Sequence, residues 1–214
     1  TGNTCTYNNY GIYVLDSSNN TVTGNICNNN SYGIYLYVAS YNTVIGNTCY
    51  KNKFGIRLDE YSNNNTITGN TCTYNNSYGI YLASSTTSNN ENTVTGNTCT
   101  YNSSGIRLYY SNNNTVTGNI CNNNNYYGIY LERADNNTVT GNTCNNNKYG
   151  IRLDGYSDNN TVTGNTCNNN NEAGIRLDIS SNNTITGNTC IRGTGQTSDY
   201  TSDQYTIRLV GSGV

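Results

Sequence analysis

The chain has 214 residues, a formal net charge of −2 and a hydrophobic fraction of 33%. Its Lys and Arg residues are scattered singly, which excludes a basic stripe of the kind that neutralises nucleic-acid phosphates. No apolar run reaches the length of a membrane span. Low hydrophobicity and long Asn runs are typical of disordered chains, but a strict internal repeat argues against disorder here.

One phrase recurs through the chain: Thr-Val-Thr-Gly-Asn, then x-Cys, then Gly-Ile-x-Leu. Successive cysteines lie 22 to 27 residues apart, and a fixed period of this length predicts a solenoid. Within each phrase apolar residues alternate with polar ones, as Val22 does between Thr21 and Thr23, which is strand spacing. Gly24 and the Asn runs supply turns. We therefore predict an all-β parallel β-solenoid of about nine coils, each of 22–23 residues.

The repeat extends through the whole sequence, so residues 1–214 are predicted to form a single β-helix domain. Two stretches exceed the repeat length, at residues 83–92 and 191–205. Both are predicted surface loops, because insertions in a solenoid project from its turns.

The repeated N-N-T-V-T-G-N-T-C…Y-G-I-Y-L phrase resembles the parallel β-helix repeat of the NosD family of copper-insertion proteins and of many archaeal surface proteins. The resemblance covers essentially the whole chain and implies a right-handed parallel β-helix. It implies no single function, since such repeats occur in enzymes, adhesins and surface-layer proteins. The chain departs from the usual pattern where Cys stands in a position commonly held by Ile.

The cysteines are expected to face inward in one file at the rung spacing. Three interpretations stay open: small buried hydrophobes, disulfides between neighbouring rungs, and a soft-metal file such as Cu(I) on stacked thiolates. The chain has no His or Met to complete a familiar metal site, so no cofactor is predicted. The file comprises Cys5, Cys27, Cys49, Cys72, Cys99, Cys121, Cys144, Cys167 and Cys190.

Two further columns follow from the repeat. The Asn after each Thr-x-Thr-Gly predicts a stacked amide ladder of Asn25, Asn47, Asn70, Asn97, Asn119, Asn142, Asn165 and Asn188. The x of Gly-Ile-x-Leu predicts an outward column in which Tyr and Arg stack on one another. That column reads Tyr13, Tyr35, Arg57, Tyr81, Arg107, Tyr130, Arg152, Arg176 and Arg208. A sugar-binding aromatic strip is the alternative interpretation of this surface.

Asp154 and Asp178 both follow Arg-Leu in adjacent coils, so they are expected about 5 Å apart. That separation suits the carboxylate pair of a retaining glycosidase; the alternative is a surface ion-pair network. No His is present and no cleft is evident in the pattern. The sequence therefore predicts a protein that is not an enzyme.

The Thr-x-Thr pairs predict a regular array of outward hydroxyl groups. The array resembles the ice-binding face of insect β-helical antifreeze proteins, while the alternative is ordinary exposed strand surface, for which Thr is well suited. The pairs are Thr21/Thr23, Thr66/Thr68, Thr93/Thr95, Thr115/Thr117, Thr138/Thr140, Thr161/Thr163 and Thr184/Thr186.

Asn-x-Ser/Thr sequons recur before the Thr-x-Thr strands, as in a secreted glycoprotein. The nine candidate acceptors are Asn19, Asn29, Asn64, Asn75, Asn102, Asn113, Asn136, Asn159 and Asn182. The chain starts in mid-repeat without Met, as a processed product or a fragment would. An extracellular or cell-surface location is expected.

The chain shows no capping element, so two open ends are predicted to stack head to tail. The residues at these ends are Thr1, Gly2, Asn3, Leu209, Val210 and Val214. The leading hypothesis is an extracellular structural protein that forms a filament or surface layer, with other copies of itself and cell-surface glycans as partners. The alternatives are ice binding, soft-metal binding, carbohydrate binding or processing, and a fragment of a larger β-helix.

Overall fold

The computed structural model describes residues 1–85, 90–192 and 205–211. Over these ranges the chain is a right-handed parallel β-helix without helices, which confirms the predicted fold class. Each strand pairs in parallel with the equivalent strand of the next coil, and three sheets result. The longest sheet has nine strands and so about eight turns between its first and last rung, against the nine coils expected.

The longest sheet, here called the tyrosine sheet, is built from the Gly-Ile-x-Leu phrases. Its Ile and Leu side chains point inward and are fully buried, as at Ile106 and Leu108. Its strands are Tyr10–Leu15, Tyr32–Tyr37, Phe54–Asp59, Tyr78–Ala83, Ser104–Tyr109, Tyr127–Glu132, Tyr149–Asp154, Ala173–Asp178 and Tyr205–Val210.

The threonine sheet contains the Thr-x-Thr phrases, whose central Val or Ile points inward, as Val116 does. Its strands are Thr21–Thr23, Thr43–Ile45, Thr66–Thr68, Thr93–Thr95, Thr115–Thr117, Thr138–Thr140, Thr161–Thr163 and Thr184–Thr186. The cysteine sheet has the strands Thr4–Thr6, Ile26–Asn28, Thr48–Tyr50, Thr71–Thr73 and Thr98–Thr100. It continues as single bridges through Ile120, Thr143, Thr166 and Thr189.

Asparagine ladders occupy the three turns of each coil, and all three run along the axis. The sequence predicted the first ladder, which the structure extends to Asn3. The second ladder comprises Asn8, Asn30, Asn52, Asn75, Asn102, Asn124, Asn147 and Asn170. The third comprises Asn20, Asn42, Asn65, Asn92, Asn114, Asn137, Asn160 and Asn183.

Asparagines inside a ladder bond to backbone groups of the preceding coil and to the ladder asparagine of the following coil. Asn97 donates from Nδ2 to the Ile67 carbonyl at 2.9 Å and to Asn119 Oδ1 at 3.0 Å. Its own Oδ1 accepts from the backbone N–H of Asn70 at 2.9 Å. Because buried polar groups are costly when unpaired, these amides fasten neighbouring coils together at the turns.

Part of each predicted loop lies outside the described residues. Residues 86–89 belong to the first loop and residues 193–204 to the second. Before the first of these segments, the Ser85 backbone N–H donates to Glu60 Oε1 of the preceding coil at 2.8 Å. The assignment of residues 1–214 to one domain stays a prediction.

Candidate functional site

The cysteine file lies inside the coil. Seven of the nine cysteines are buried, while Cys5 and Cys190 are half-buried, and all nine are free thiols. From Cys5 to Cys99 neighbouring members are direct strand partners, as Cys49 and Cys72 are. Burial and a thiol hydrogen bond to the next cysteine raise the pKa of Cys99 and Cys121 well above the ordinary thiol value.

The buried thiols are expected to react slowly with thiol reagents. In the folded protein Cys5 and Cys190 should be labelled before the other seven thiols, because these two are partly exposed to solvent. The raised pKa values of Cys99 and Cys121 leave little thiolate there at neutral pH. Raising the pH to about 9 should not release those two thiols, whereas denaturant should expose all of them. Mass spectrometry of the labelled peptides checks this, and rapid labelling of Cys99 without denaturant would contradict it.

The outward surface of the tyrosine sheet, here called the aromatic face, carries three columns of chemically active side chains. The first column is Tyr10, Tyr32, Phe54, Tyr78, Ser104, Tyr127, Tyr149, Ala173 and Tyr205. The middle column is the Tyr and Arg column predicted from the sequence. The third column is Leu15, Tyr37, Asp59, Ala83, Tyr109, Glu132, Asp154, Asp178 and Val210.

Tyrosine and arginine alternate along the middle column from Tyr35 to Arg152. The Arg57 guanidinium lies 5.2 Å from the ring centroid of Tyr81, and the Arg107 guanidinium lies 5.4 Å from the same ring. On its other side Arg107 lies 5.3 Å from Tyr130. Each such cation–π contact contributes about 0.5–1 kcal/mol where it is exposed to solvent. The expected stacking is therefore present, and it holds the guanidinium groups in fixed positions.

Carboxylates of the third column pair with these arginines. Arg57 Nη2 lies 2.7 Å from Asp59 Oδ2, and Arg107 pairs with Glu132 of the next coil. Tyr35 donates its hydroxyl to Asp59 at 2.8 Å. Burial, followed by that hydrogen bond, raises the pKa of Tyr35 well above its usual range. The face therefore presents fixed rows of donors and acceptors.

Asp154 and Asp178 are joined by one arginine. Arg152 donates from Nη2 to Asp154 at 2.7 Å and from Nε to Asp178 at 3.0 Å. Arg176 also binds Asp178, at 2.7 Å. Both carboxylates thus lie in ion pairs with arginine. The ion-pair network describes this cluster better.

The threonine array lies on the outer surface of its own sheet. Some hydroxyls turn along the axis instead of outward: Thr117 Oγ1 donates to the Thr140 carbonyl at 3.1 Å, and Thr163 Oγ1 to that of Thr186 at 2.9 Å. These two hydroxyls bond to backbone carbonyls of the next coil, so the array of outward hydroxyls is less regular than the sequence repeat.

Most predicted glycan acceptors lie at turns. Asn19, Asn29, Asn64, Asn113, Asn136, Asn159 and Asn182 are exposed or half-buried and have left-handed backbone angles. The prediction is wrong for Asn75 and Asn102. Both are exposed by 2% or less, and their Nδ2 groups donate to the Cys49 and Cys72 carbonyls. A side chain fixed in the second ladder is not accessible to a glycan in the folded coil.

The predicted assembly residues lie at the first and last described coils. Thr1, Gly2 and Asn3 are exposed, and Gly2 N donates to the Thr23 carbonyl at 3.2 Å. Leu209 is 68% exposed and Val210 is half-buried, while Val214 lies outside the described residues. Head-to-tail association stays a prediction.

Family comparison identifies the repeat. A profile described as "Periplasmic copper-binding protein (NosD)" matches residues 74–207, which is more than half of the chain. The chain belongs to the NosD family. A second profile, "Right handed beta helix region", matches residues 1–104. The family resemblance drawn from the sequence is thereby confirmed, and no curated protein matches the chain.

Solved structures share the fold at low sequence identity. The periplasmic alginate epimerase AlgG aligns with a TM-score of 0.77 and 22% identity over 86% of this chain and 49% of its own. The Azotobacter vinelandii mannuronan C-5 epimerase AlgE4 A-module gives 0.66 and 17% over 95% and 63%. The Dettilon tailspike protein gives 0.71 and 16% over 97% and 52%. This chain therefore spans about half to two thirds of each.

Two expectations change with these comparisons. The prediction that this chain is not an enzyme is wrong. Neither its fold nor its composition excludes catalysis, because two of the proteins with similar structures are epimerases. The names of NosD and AlgG also describe periplasmic proteins, which indicates an exported chain. The described residues contain no helix with the length and hydropathy to cross a bilayer.

The copper binding named for the family does not fit the residues of this chain. His and Met are absent from the sequence, and the described residues contain no cluster of three or more His, Cys, Asp or Glu side chains suited to a metal ion. Burial raises the pKa of Cys99 and Cys121 and keeps these thiols protonated, whereas copper needs thiolates. Cys167 is the exception, because hydrogen bonds from Cys144 and Cys190 lower its pKa to about 5. The soft-metal hypothesis for the cysteine file therefore gains no support.

Proposed function

We propose that this chain is a carbohydrate-active β-helix that binds a polysaccharide along its aromatic face. One observation carries the proposal: three columns of rings, guanidinium groups and carboxylates run side by side along the tyrosine sheet. Because successive coils lie one strand spacing apart, the face presents similar contacts at each coil. A polymer of similar sugar units matches such a surface better than a small molecule does.

The chemistry of the face suits sugar hydroxyl groups. Arg152 lies between Asp154 and Asp178 and also donates to the Tyr127 hydroxyl at 3.0 Å. Fixed donors and acceptors recognise hydroxyls by hydrogen bonds, since their positions are already set before a ligand arrives. The side chains of Glu132 and Asp154 remain 27% and 25% exposed, so a ligand can reach both carboxylates.

The similar structures support the same class of substrate. Two of them are named as enzymes that epimerise alginate or mannuronan. The first reaction to measure is therefore exchange at sugar C5, using mannuronan in heavy water and proton magnetic resonance. For an exported protein, the polysaccharides of a cell surface are the accessible substrates, and an extracellular or cell-surface location is part of this proposal.

Affinity electrophoresis tests the binding. The chain should be retarded in gels that contain mannuronan or a neutral mannan, and the double variant Arg152→Gln/Arg176→Gln should bind at least fivefold more weakly. Arg133→Gln is the matched control, because Arg133 is an exposed arginine in a turn outside the aromatic face. Equal retardation of the double variant and the wild-type chain would contradict this site, and no retardation in any polysaccharide gel would contradict the function.

End-to-end assembly and ice binding stay predictions beside this proposal. The cross-coil hydrogen bonds of Thr117 and Thr163 weaken the case for an ice-binding lattice. Thermal hysteresis of the purified chain and its sedimentation at high concentration test these two hypotheses independently of polysaccharide binding.

A further inference from the structure

The first column of the aromatic face lacks a ring at Ser104. Its strand partners are Tyr78 on the preceding coil and Tyr127 on the following coil. Where the column is complete, successive rings stack, as Tyr127 and Tyr149 do with centroids 5.6 Å apart. Tyr78 and Tyr127 are two rungs apart, about 9.6 Å at the usual strand spacing. A gap in the column of rings therefore lies between them.

An open depression of about 400 Å³ lies over this gap. Ser104 is only 2% exposed and forms part of its floor. The depression is lined by Tyr78, Ser103, Ser104, Arg107, Tyr126, Tyr127, Tyr130 and Glu132. Aromatic walls with a few fixed polar groups are typical of ligand sites.

Arg107 supplies an unpaired donor at this depression. Its Nη1 donates to the Tyr78 hydroxyl at 2.5 Å and its Nη2 pairs with Glu132. Its Nε is buried and has no hydrogen-bond partner among the residues that the structure describes. A buried donor without a partner is costly, and an acceptor oxygen on a bound ligand would satisfy it.

The coil of Arg107 differs from its neighbours at two positions. Other arginines of the middle column donate Nε to an Asp of the third column, at 2.8–3.0 Å: Arg57, Arg152 and Arg176. In the Arg107 coil the third-column residue is Tyr109, and the first-column residue is Ser104. The same strand therefore lacks both the ring and the carboxylate, and Arg107 lies in the middle column between these two positions.

We infer that the gap over Ser104 is a slot for one pyranose ring of a polysaccharide. The C–H face of the sugar stacks between Tyr78 and Tyr127, and an oxygen on the ring accepts from Arg107 Nε. A neutral hexose offers a hydroxyl oxygen and a hexuronate offers a carboxylate oxygen, so the shared chemistry is a pyranose with an outward acceptor. This inference rests on the function proposed above and names the position that grips a single unit of the polymer.

Filling the slot with a protein ring tests it. Ser104→Tyr places in this coil the residue that the neighbouring coils carry, so the coil is expected to fold as before. Binding of mannohexaose or hexamannuronate, measured by titration calorimetry, should weaken at least tenfold. Thr138→Tyr is the matched control, because it adds the same ring at an exposed strand position of the threonine sheet, away from the aromatic face. Arg107→Lys, which keeps the charge and lacks Nε, should weaken binding three- to tenfold.

The outcomes separate the slot from the wider function. A tenfold loss in Ser104→Tyr with no loss in Thr138→Tyr supports the slot, whichever hexamer binds. Equal binding by Ser104→Tyr and the wild-type chain overturns the slot, while polymer retardation in gels leaves the proposed function standing. Failure of the wild-type chain to bind either hexamer also overturns the slot, and failure to bind any polymer overturns the proposed function itself.

Discussion

Replacing Asn97 by alanine is expected to lower the free energy of unfolding by about 4 kcal/mol. The change removes the acceptor of the buried Asn70 N–H and a donor to the Ile67 carbonyl. Each buried group left without a partner costs about 1–3 kcal/mol, and two such groups are affected. Urea unfolding followed by far-ultraviolet circular dichroism measures the loss.

Asn125→Ala is the matched control for this change. Asn125 is an exposed asparagine in the run that follows Asn124 of the second ladder. Its replacement is expected to alter the unfolding free energy by no more than about 0.5 kcal/mol, as for most surface substitutions. If both variants lost the same small amount, the ladder amides would not be holding the coils together.

Replacing Gly128 by alanine is expected to destabilise the coil by about 3 kcal/mol or more. An added Cβ would lie 2.5 Å from the Gly150 carbonyl oxygen and 2.7 Å from the Cys144 Cβ. The first is a backbone atom and the second is the first carbon of a side chain, so neither can shift unless a strand moves. The melting temperature should fall by roughly 6–12 °C, on the scale of about 2–4 °C per kcal/mol for a chain of this size.

Gly118→Ala separates crowding from backbone strain. Gly118 has a φ of +62°, and an added Cβ there meets no atom within 4 Å. Its replacement is expected to cost about 1–2 kcal/mol, the penalty of a left-handed conformation for an L-residue. In differential scanning calorimetry the melting temperature of Gly128→Ala should lie clearly below that of Gly118→Ala. The reverse order would contradict the close approach of the tyrosine and cysteine sheets.

The fold was predictable because the repeat constrains every coil at once. Alternation around Val22 assigns its strand, and the Cys spacing sets the length of each coil. The Tyr–Arg stacking and the proximity of Asp154 and Asp178 to Arg152 also followed from the register. In a parallel coil, sequence offset converts directly to spatial neighbourhood.

Two of the three asparagine ladders were missed although their signal is present. An Asn follows every Cys except Cys190 by three residues, as Asn52 follows Cys49. An Asn also always precedes the Thr-x-Thr glycine by four residues. Within runs such as residues 168–171, pattern alone does not tell which amide turns inward, because the composition is the same for inward and outward positions. Invariance across the coils of the chain itself was the usable clue.

The slot over Ser104 was hidden for a different reason. The first and third columns of the aromatic face were not considered as columns, so the joint change at Ser104 and Tyr109 carried no meaning in the sequence. Only the side-chain contacts reveal that Arg107 Nε is left without a partner there. Departures from a repeat are thus as informative as the repeat.

Tyrosine footprinting with a bound polysaccharide tests the central proposal most directly. Tyr10, Tyr13 and Tyr126 lie on or beside the aromatic face and are 37%, 42% and 50% exposed, while Tyr74 and Tyr101 are 50% and 51% exposed in the turns after the cysteine sheet. Chemical acetylation read by mass spectrometry should show that saturating mannuronan or mannan protects the first group and leaves Tyr74 and Tyr101 as reactive as before. Equal protection of both groups, or of neither, would contradict binding along the aromatic face.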